Sequence, residues 1–175
     1  MTEDEFWAIV ERSRSQARGR VEHQPAAVEK VLAALPPDEI LAFRRHLLDA
    51  NDRGYTWDLA AAAHLLLGGI SEDTFTNLRT WLVCHGRETF QRVIADPDSL
   101  ADLPLDPGAG EFGFAEEFGY LPDEAYEHVT GEDPPDEPGE AGVDEPPAGA
   151  AIDLDDAAAL RARFPRIAAR VGRPG

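Results

Sequence analysis

Cysteine is almost absent from this sequence. Its 175 residues contain one cysteine, Cys84, which excludes an internal disulfide and leaves too little sulfur for a cysteine-rich zinc site. No apolar run approaches the ~20 residues that a membrane-spanning helix requires. Residues 1–5 are acidic where a secretory signal is basic. We therefore expect a cytoplasmic protein without a membrane partner.

Basic residues are missing from a long internal stretch. Between Arg92 and Arg161 the chain has no lysine or arginine, yet residues 96–156 hold 20 of its 34 acidic residues. Residues 1–92 are nearly balanced, with 14 acidic and 11 basic residues, and five arginines follow residue 160. The net charge of −18 repels phosphate over most of the surface. We expect no nucleic-acid partner, and we expect the arginine-rich end to fold back onto acidic surface of its own chain.

Helical signals fill residues 1–95. Thr2 and Glu5 stand at capping-box spacing, and a second helix is predicted from Pro25 to the prolines at 36–37. Further helices are expected after Pro37, over 57–67, after the N-cap Ser71 and over 87–95, each with apolar residues at three- and four-residue steps. These signals predict an all-α fold, a compact bundle of about five to seven helices. A short strand pair around residues 112–114 stays open as an alternative.

Composition divides the chain into three parts. Residues 131–150 are rich in Pro, Gly and acidic residues and contain no aromatic residue, so they bury too little surface to offset their ordering entropy. We predict a helical domain over 1–130, an acidic disordered linker over 131–150 and a basic helical segment over 151–175. In that segment one short helix should end at Phe164 and another start at Pro165. Its apolar residues should dock on the bundle: Leu160, Phe164, Ile167, Ala168 and Val171.

Several short motifs resemble one bacterial family. They are Phe6-Trp7, Tyr55-Thr56-Trp57-Asp58-Leu59-Ala60-Ala61-Ala62, Gly68-Gly69-Ile70-Ser71-Glu72-Asp73-Thr74-Phe75, Arg79-Thr80-Trp81-Leu82, Gly86-Arg87-Glu88 with Phe90, Asp96-Pro97-Asp98-Ser99-Leu100, Tyr126 and Thr130-Gly131. Together they make the chain similar to the family named domain of unknown function 4240 (DUF4240). The sequence departs from that family at Ala60, Ile70 and Thr74, where Trp, Cys and Gly are common. The resemblance implies a helical domain and supplies no catalytic residues, because the family has no established activity.

Two motif signals fail on their context. Residues 108–113 fit G-x-G-x-x-G, but no strand precedes them and nearby glutamates would repel a pyrophosphate. The histidines and Cys84 do not stand at zinc-finger or HExxH spacing. We therefore expect no cofactor and no metal.

The strongest candidate site combines aromatic and charged residues near two helix ends. Its members are Tyr55, Trp57, Asp58, Glu72, Asp73, Arg79 and Trp81. Aromatic walls with a few fixed polar groups are typical of ligand and partner sites, and Arg79 paired with Glu72 or Asp73 would orient a ligand. The favoured explanation is nevertheless structural, with the tryptophans in the core, the acidic residues in first helical turns and Arg79 in an ordinary ion pair.

The sequence favours a non-enzymatic binding or regulatory module that recognises a protein partner or a small ligand. A narrower version is an immunity-type or antitoxin-like protein, because strong negative charge suits the neutralisation of a basic toxin. The alternative is a hydrolase that uses carboxylates around Asp58, Glu72 and Asp73, with a divalent metal. No residue pattern marks a nucleophile or a tuned acid–base pair, and none indicates an oligomeric state.

Overall fold

The computed structural model describes residues 1–105, 113–135 and 146–172. Within these ranges the chain forms nine α-helices and two short 3₁₀ helices, so the predicted all-α fold is confirmed and the helix count exceeds the five to seven expected. The α-helices are α1 (Glu3–Gln16), α2 (Pro25–Leu32), α3 (Pro37–Gly54), α4 (Trp57–Leu67), α5 (Glu72–Cys84), α6 (Arg87–Ala95), α7 (Gly113–Thr130), α8 (Ala157–Arg163) and α9 (Pro165–Val171). The 3₁₀ helices are Val21–His23 and Pro97–Asp102, and the latter is called the 97–102 turn below.

Local side chains define where three of the helices begin. The Thr2 hydroxyl accepts from the backbone N–H of Glu5, and the Glu5 carboxylate accepts in return from Thr2, which completes the predicted capping box. The Ser71 hydroxyl caps α5 by accepting from Thr74 N at 3.1 Å, as predicted. Thr56 caps α4 in the same way. These helix starts are therefore encoded within a few residues of sequence.

The core lies where α3, α5 and α7 meet, and α1, α2 and α6 close around it. Its largest fully buried side chains are aromatic and include Phe6, Phe43, Trp81, Phe90 and Phe118. Helix α4 is buried almost all round, with Leu59, residues 60–63 and Leu66 all buried, as expected for a helix that is apolar on nearly every side. None of the helices in the described ranges is both long and apolar enough to cross a membrane.

Helix α7 is the element that the sequence did not predict. It begins at Gly113, which overturns the alternative of a strand there, while residue 112 lies outside the described ranges. Gly119 and Pro122 inside the helix lower its intrinsic propensity, because an interior proline removes a helix hydrogen bond. Phe118 and Leu121 are buried against α2, α3 and α5. Burial of this face therefore outweighs the unfavourable local sequence.

Residues 146–172, called the C-terminal arm below, fold back onto the bundle. Helices α8 and α9 pack against α4 and the 97–102 turn, which confirms the predicted docking. Leu160, Phe164 and Ile167 are buried, whereas Val171 is 37% exposed. Of the predicted disordered linker, residues 136–145 lie outside the described ranges. Residue Ala148 of the arm forms a single parallel bridge with Thr56 at the start of α4.

Candidate functional site

Arg79 occupies the best-defined position in the predicted cluster. Its guanidinium carbon lies 4.8 Å from the centroid of the Tyr55 ring and 5.1 Å from that of Phe75. The guanidinium donates to the backbone carbonyl of Asn51 at 2.9 Å and to the hydroxyl of Thr76 at 3.0 Å. Arg79 is 8% exposed, and this burial lowers its pKa. The arginine is thus a buried cation that fixes the end of α3 against α5.

The acidic residues predicted to pair with Arg79 form no ion pair with it among the described residues, although the charge of Glu72, after those of Asp52 and Tyr55, partly offsets the lowering of the Arg79 pKa by burial. Glu72 and Asp73 are exposed in the first turn of α5, where their charges favour the helix dipole. Within the described ranges, the hydrogen bonds of Arg79 go to Asn51 and Thr76 instead. The structure therefore brings together Tyr55 and Arg79 from the predicted cluster, and leaves Glu72 and Asp73 at the surface.

Asp58 and its neighbours contact the C-terminal arm. The Oδ1 atom of Asp58 accepts from Arg163 Nε at 2.8 Å and from Arg163 Nη2 at 2.5 Å. The backbone N–H of Trp57 donates to the carbonyl of Ala148 at 3.0 Å, and Ala148 N–H donates to the carbonyl of Tyr55 at 2.9 Å. This part of the predicted cluster is already occupied, and its occupant is the chain itself.

Trp81 lies on a different side of α5 from Arg79, because two residues along an α-helix correspond to a rotation of about 200°. It is 2% exposed, and its ring packs at 4.0 Å, centroid to centroid, from that of His85. The tryptophan is therefore a core residue that supports the His85 side of the helix. The seven predicted residues are distributed over several environments, and their role as one binding site stays a prediction.

A polar cleft beside His85 was missed by sequence reasoning. It has a volume of about 520 Å³ and is lined by Glu11, Arg14, His85, Glu88, Thr89 and Arg92. Burial, with a smaller effect of positive Arg14, lowers the pKa of His85 to about 4, so the imidazole is neutral at pH 7. The two glutamates balance the two arginines. Such a lining offers both donors and acceptors and no net charge.

Gly86 follows His85 in the chain and lies in close contact with Glu11, a residue that lines this cleft. Its φ of 88° is unfavourable for other residues, and a Cβ there would lie 2.1 Å from the Oε1 atom of Glu11. The same Glu11 oxygen accepts from the backbone N–H of Arg87 at 3.2 Å, at the start of α6. A carboxylate on α1 therefore caps α6. No local sequence pattern predicts this cap, because Glu11 is distant along the chain.

A second cleft lies between α1 and the end of α3, with a volume of about 460 Å³. Its lining residues are Glu3, Trp7, His46, Asp49, Ala50, Asp52 and Arg53. Glu3 Oε1 accepts a hydrogen bond from the Trp7 indole at 3.2 Å and one from Arg53 at 3.0 Å. Both bonds lower the pKa of Glu3, and the bond from Trp7 has the larger effect. Partial burial raises the pKa of Asp52. The cleft is mildly acidic over an apolar floor.

Metal-ligating side chains do not converge in the part of the chain that the structure describes: no three His, Cys, Asp or Glu residues there are placed to hold an ion. Cys84 is completely buried, and this burial raises the pKa of its thiol. The Cys84 carbonyl accepts from the side chain of Gln24 at 2.9 Å. Cys84 thus behaves as a small apolar core residue.

The outer face of α7 is the most strongly acidic surface formed by one helix. Four exposed glutamates, Glu116, Glu117, Glu124 and Glu127, surround Tyr120, which is 57% exposed. None of the four forms an ion pair within residues 1–105, 113–135 and 146–172. The helix itself contributes no lysine or arginine, and its only basic side chain is His128. The sequence missed this face because it missed α7.

Together, the described residues form a small all-α domain with side-chain-capped helices, a polar cleft beside His85, a mildly acidic cleft between α1 and α3, and an acidic face on α7. Residues 1–128 match the family model described as "Protein of unknown function (DUF4240)". The chain therefore belongs to the DUF4240 family, and the resemblance noted from its motifs is confirmed. No curated protein and no solved structure matches the chain.

Proposed function

We propose that this protein is a non-enzymatic binding module whose acidic surface receives a basic protein partner in the cytoplasm. The observation that carries the proposal is the outer face of α7, where four glutamates without ion pairs in the described residues surround Tyr120. Carboxylates attract lysine and arginine over several ångströms, and an exposed aromatic ring adds a cation–π surface for the same side chains. The chemistry of this face is complementary to a basic surface.

The partner class can be narrowed by the electrostatics. A basic toxin that an immunity-type protein neutralises is the narrower form of the proposal, because long-range attraction accelerates the encounter of oppositely charged proteins. The overall charge of −18 acts in the same direction as the α7 face. Nucleic acid is not part of the proposal, since phosphate is repelled by this field.

The test begins with capture of partners from a native lysate by the immobilised full chain, in low and in high salt. A partner that fits the proposal is basic, and its capture decreases as salt rises, because salt screens exposed charges. The purified partner is then titrated against a variant carrying Glu116→Gln, Glu117→Gln, Glu124→Gln and Glu127→Gln. We expect this neutral variant to bind at least about tenfold more weakly.

A matched control removes the same charge from other helices. It carries Glu22→Gln, Glu29→Gln, Glu72→Gln and Glu88→Gln, four glutamates that are also exposed. This control should change the dissociation constant less than about twofold, because net charge affects it only at long range. Equal losses in the two variants, or capture only of acidic proteins, would contradict a binding site on α7.

A further inference from the structure

The groove between α4 and the 97–102 turn holds the C-terminal arm. Three apolar side chains of the arm, Leu160, Phe164 and Ile167, are 2%, 3% and 0% exposed in it. Helix α8 contacts α4, whereas α9 contacts both α4 and the turn. The groove therefore accepts two short helices that present one apolar face.

Acidic side chains of the groove recognise the arm at its polar edge. Arg163 pairs with Asp58, and Arg166 pairs with Asp96 and Asp102. The Asp98 carboxylate, 8% exposed, accepts from the backbone N–H groups of Arg166 and Ile167, both at 3.0 Å. One groove thus combines apolar contacts with charge-assisted hydrogen bonds to a basic helix.

Arg170 adds a third basic contact of a different kind. Its guanidinium donates to the backbone carbonyls of Ala101 at 3.1 Å, Leu103 at 2.6 Å and Leu105. Ala101 lies in the last residues of the 97–102 turn, and Leu103 and Leu105 follow it, where a helix no longer provides partners for all of its carbonyls. The groove therefore holds arginines at positions 163, 166 and 170 beside an apolar face.

Two features of the arm indicate that it is held only weakly in the groove. Its helices have seven residues each, which is too short for stability in isolation, so their structure depends on the groove. The ion pairs of Arg163 and Arg166 are about half exposed, and such pairs contribute little. The groove residues lie within the family match of residues 1–128, and the arm lies beyond it.

We propose that the groove between α4 and the 97–102 turn is a docking site for a basic amphipathic helix, and that the C-terminal arm is its exchangeable resident occupant. A partner helix with arginines at the same spacing competes with the arm. Because the arm is tethered, its effective concentration is on the order of millimolar, so only a partner that makes more contacts displaces it. This site is separate from the proposed α7 surface and does not depend on it.

The experiment cuts the chain between the helical body and the arm after the full-length protein has folded. A recognition sequence for a site-specific protease replaces residues 137–143, so that cleavage after folding leaves the arm bound without its tether. The probe is a fluorescein-labelled synthetic peptide of residues 146–172. We expect the nicked protein to exchange its arm for the labelled peptide within hours, and the uncut chain to bind the peptide at least about tenfold more weakly.

Two matched controls test the chemistry of recognition. A peptide with Arg163→Gln, Arg166→Gln and Arg170→Gln should compete at least about tenfold less well, chiefly because it loses the part-buried bonds of Arg170 to three backbone carbonyls, with a smaller loss from the two exposed ion pairs. In the nicked protein, Asp98→Ala should weaken binding of the labelled peptide to a similar extent. Asp73→Ala, at an exposed position on α5, should change the affinity for the peptide by less than about twofold.

Three results would overturn the docking site. They are an arm that fails to exchange within a day after nicking, a glutamine peptide that competes as well as the native one, and binding indifferent to Asp98→Ala. The chain with the four α7 glutamates neutralised should bind the labelled peptide like the unaltered chain. Failure of the α7 proposal and failure of the groove proposal are thereby distinguishable.

Discussion

The helical body (α1–α7 with the 97–102 turn) and the C-terminal arm are stabilised in different ways. The body buries large aromatic side chains from several helices in one core, and three of its helices are capped by their own neighbouring residues. The arm buries only a few apolar side chains, and the N-terminus of α9 is capped by Asp98, a residue of the distant 97–102 turn. Capping alone does not separate the regions, since α6 in the body is capped by the distant Glu11 and α8 in the arm by its neighbour Asp156. The difference therefore lies mainly in the amount of apolar surface that each region buries.

That difference suggests how the two regions respond to change. A substitution that disturbs the shared core weakens contacts among many helices. A substitution that disturbs the arm weakens only the contacts of the arm with α4 and the 97–102 turn. The body should therefore unfold cooperatively, and the arm should open at a lower free energy. Four predictions, from the largest expected effect to the smallest, test whether this distinction holds.

Truncation of the same residue type in the two regions gives the largest contrast. Phe43→Ala removes a fully buried ring from the body and should lower the free energy of unfolding by about 3–5 kcal/mol. Phe164→Ala removes a ring that is 3% exposed in the arm, and its cost cannot exceed the free energy of docking. Urea denaturation gives the global effect, and hydrogen exchange over 157–172 gives the local one. Equal global losses would show that the arm is part of the core.

Gly86→Ala should come next, because it affects a junction inside the body. The new Cβ displaces the Glu11 carboxylate from its hydrogen bond with the Arg87 N–H, in addition to the strain of φ 88°, for a loss of about 2–4 kcal/mol. Gly68→Ala is the matched control, since φ there is 74° and a Cβ meets nothing within 4 Å. It should cost only about 1 kcal/mol. Similar losses of unfolding free energy in Gly86→Ala and Gly68→Ala would contradict the inferred capping of α6 by Glu11.

The pH dependence of the body should carry a contribution from His85. Its pKa is about 4 when folded and about 6.5 when unfolded, so the unfolded chain binds a proton that the folded chain does not. The body is therefore stabilised above pH 6.5, and up to about 3 kcal/mol of that stability is lost as the pH falls from 6.5 to 4. In His85→Gln this part of the decline should disappear, as measured by urea denaturation at each pH. Parallel pH profiles for the two proteins would contradict it.

Two acidic residues that hold the arm should differ in importance. Asp98→Ala leaves two backbone N–H groups of α9 without their acceptor and should weaken docking by about 1.5–3 kcal/mol. Asp58→Ala removes only a half-exposed ion pair and should cost less than about 1 kcal/mol. Hydrogen exchange at residues 165–171 reports both effects while the body stays protected. The reverse order would mean that ion pairing, and not capping, holds the arm.

Much of the fold was predictable because its signals are local. The capping residues Thr2 and Ser71 and the prolines at 37 and 165 mark helix starts, and these predicted starts agree with the structure. The predicted end of α2 at the prolines 36–37 was wrong, because the helix already ends at Leu32. Helix α7 was not predictable in the same way, because Gly119 and Pro122 oppose it locally and only packing against three other helices compensates. The acidic face of α7 was not predicted, because the helix itself was not predicted.

The candidate site shows the same limit at the level of side chains. Tyr55 and Arg79 do meet, but Arg79 binds the Asn51 carbonyl and the Thr76 hydroxyl, and its predicted acidic partners stay exposed. The spacing of these residues predicts which face of its own helix each one occupies. It does not predict which other helix packs against that face. The contact of Asp58 with Arg163 joins positions far apart in the chain, and no local pattern signals it.

The sequence by itself determined the all-α class, most helix starts, the concentration of acidic charge and the family, because each depends on composition or on residues a few positions apart. The tertiary structure alone decided that α7 is a helix, that Glu11 caps α6 and that Asp98 caps α9. It also placed the arm over Asp58. Each of these depends on groups distant in sequence, whose proximity exists only after the core has formed.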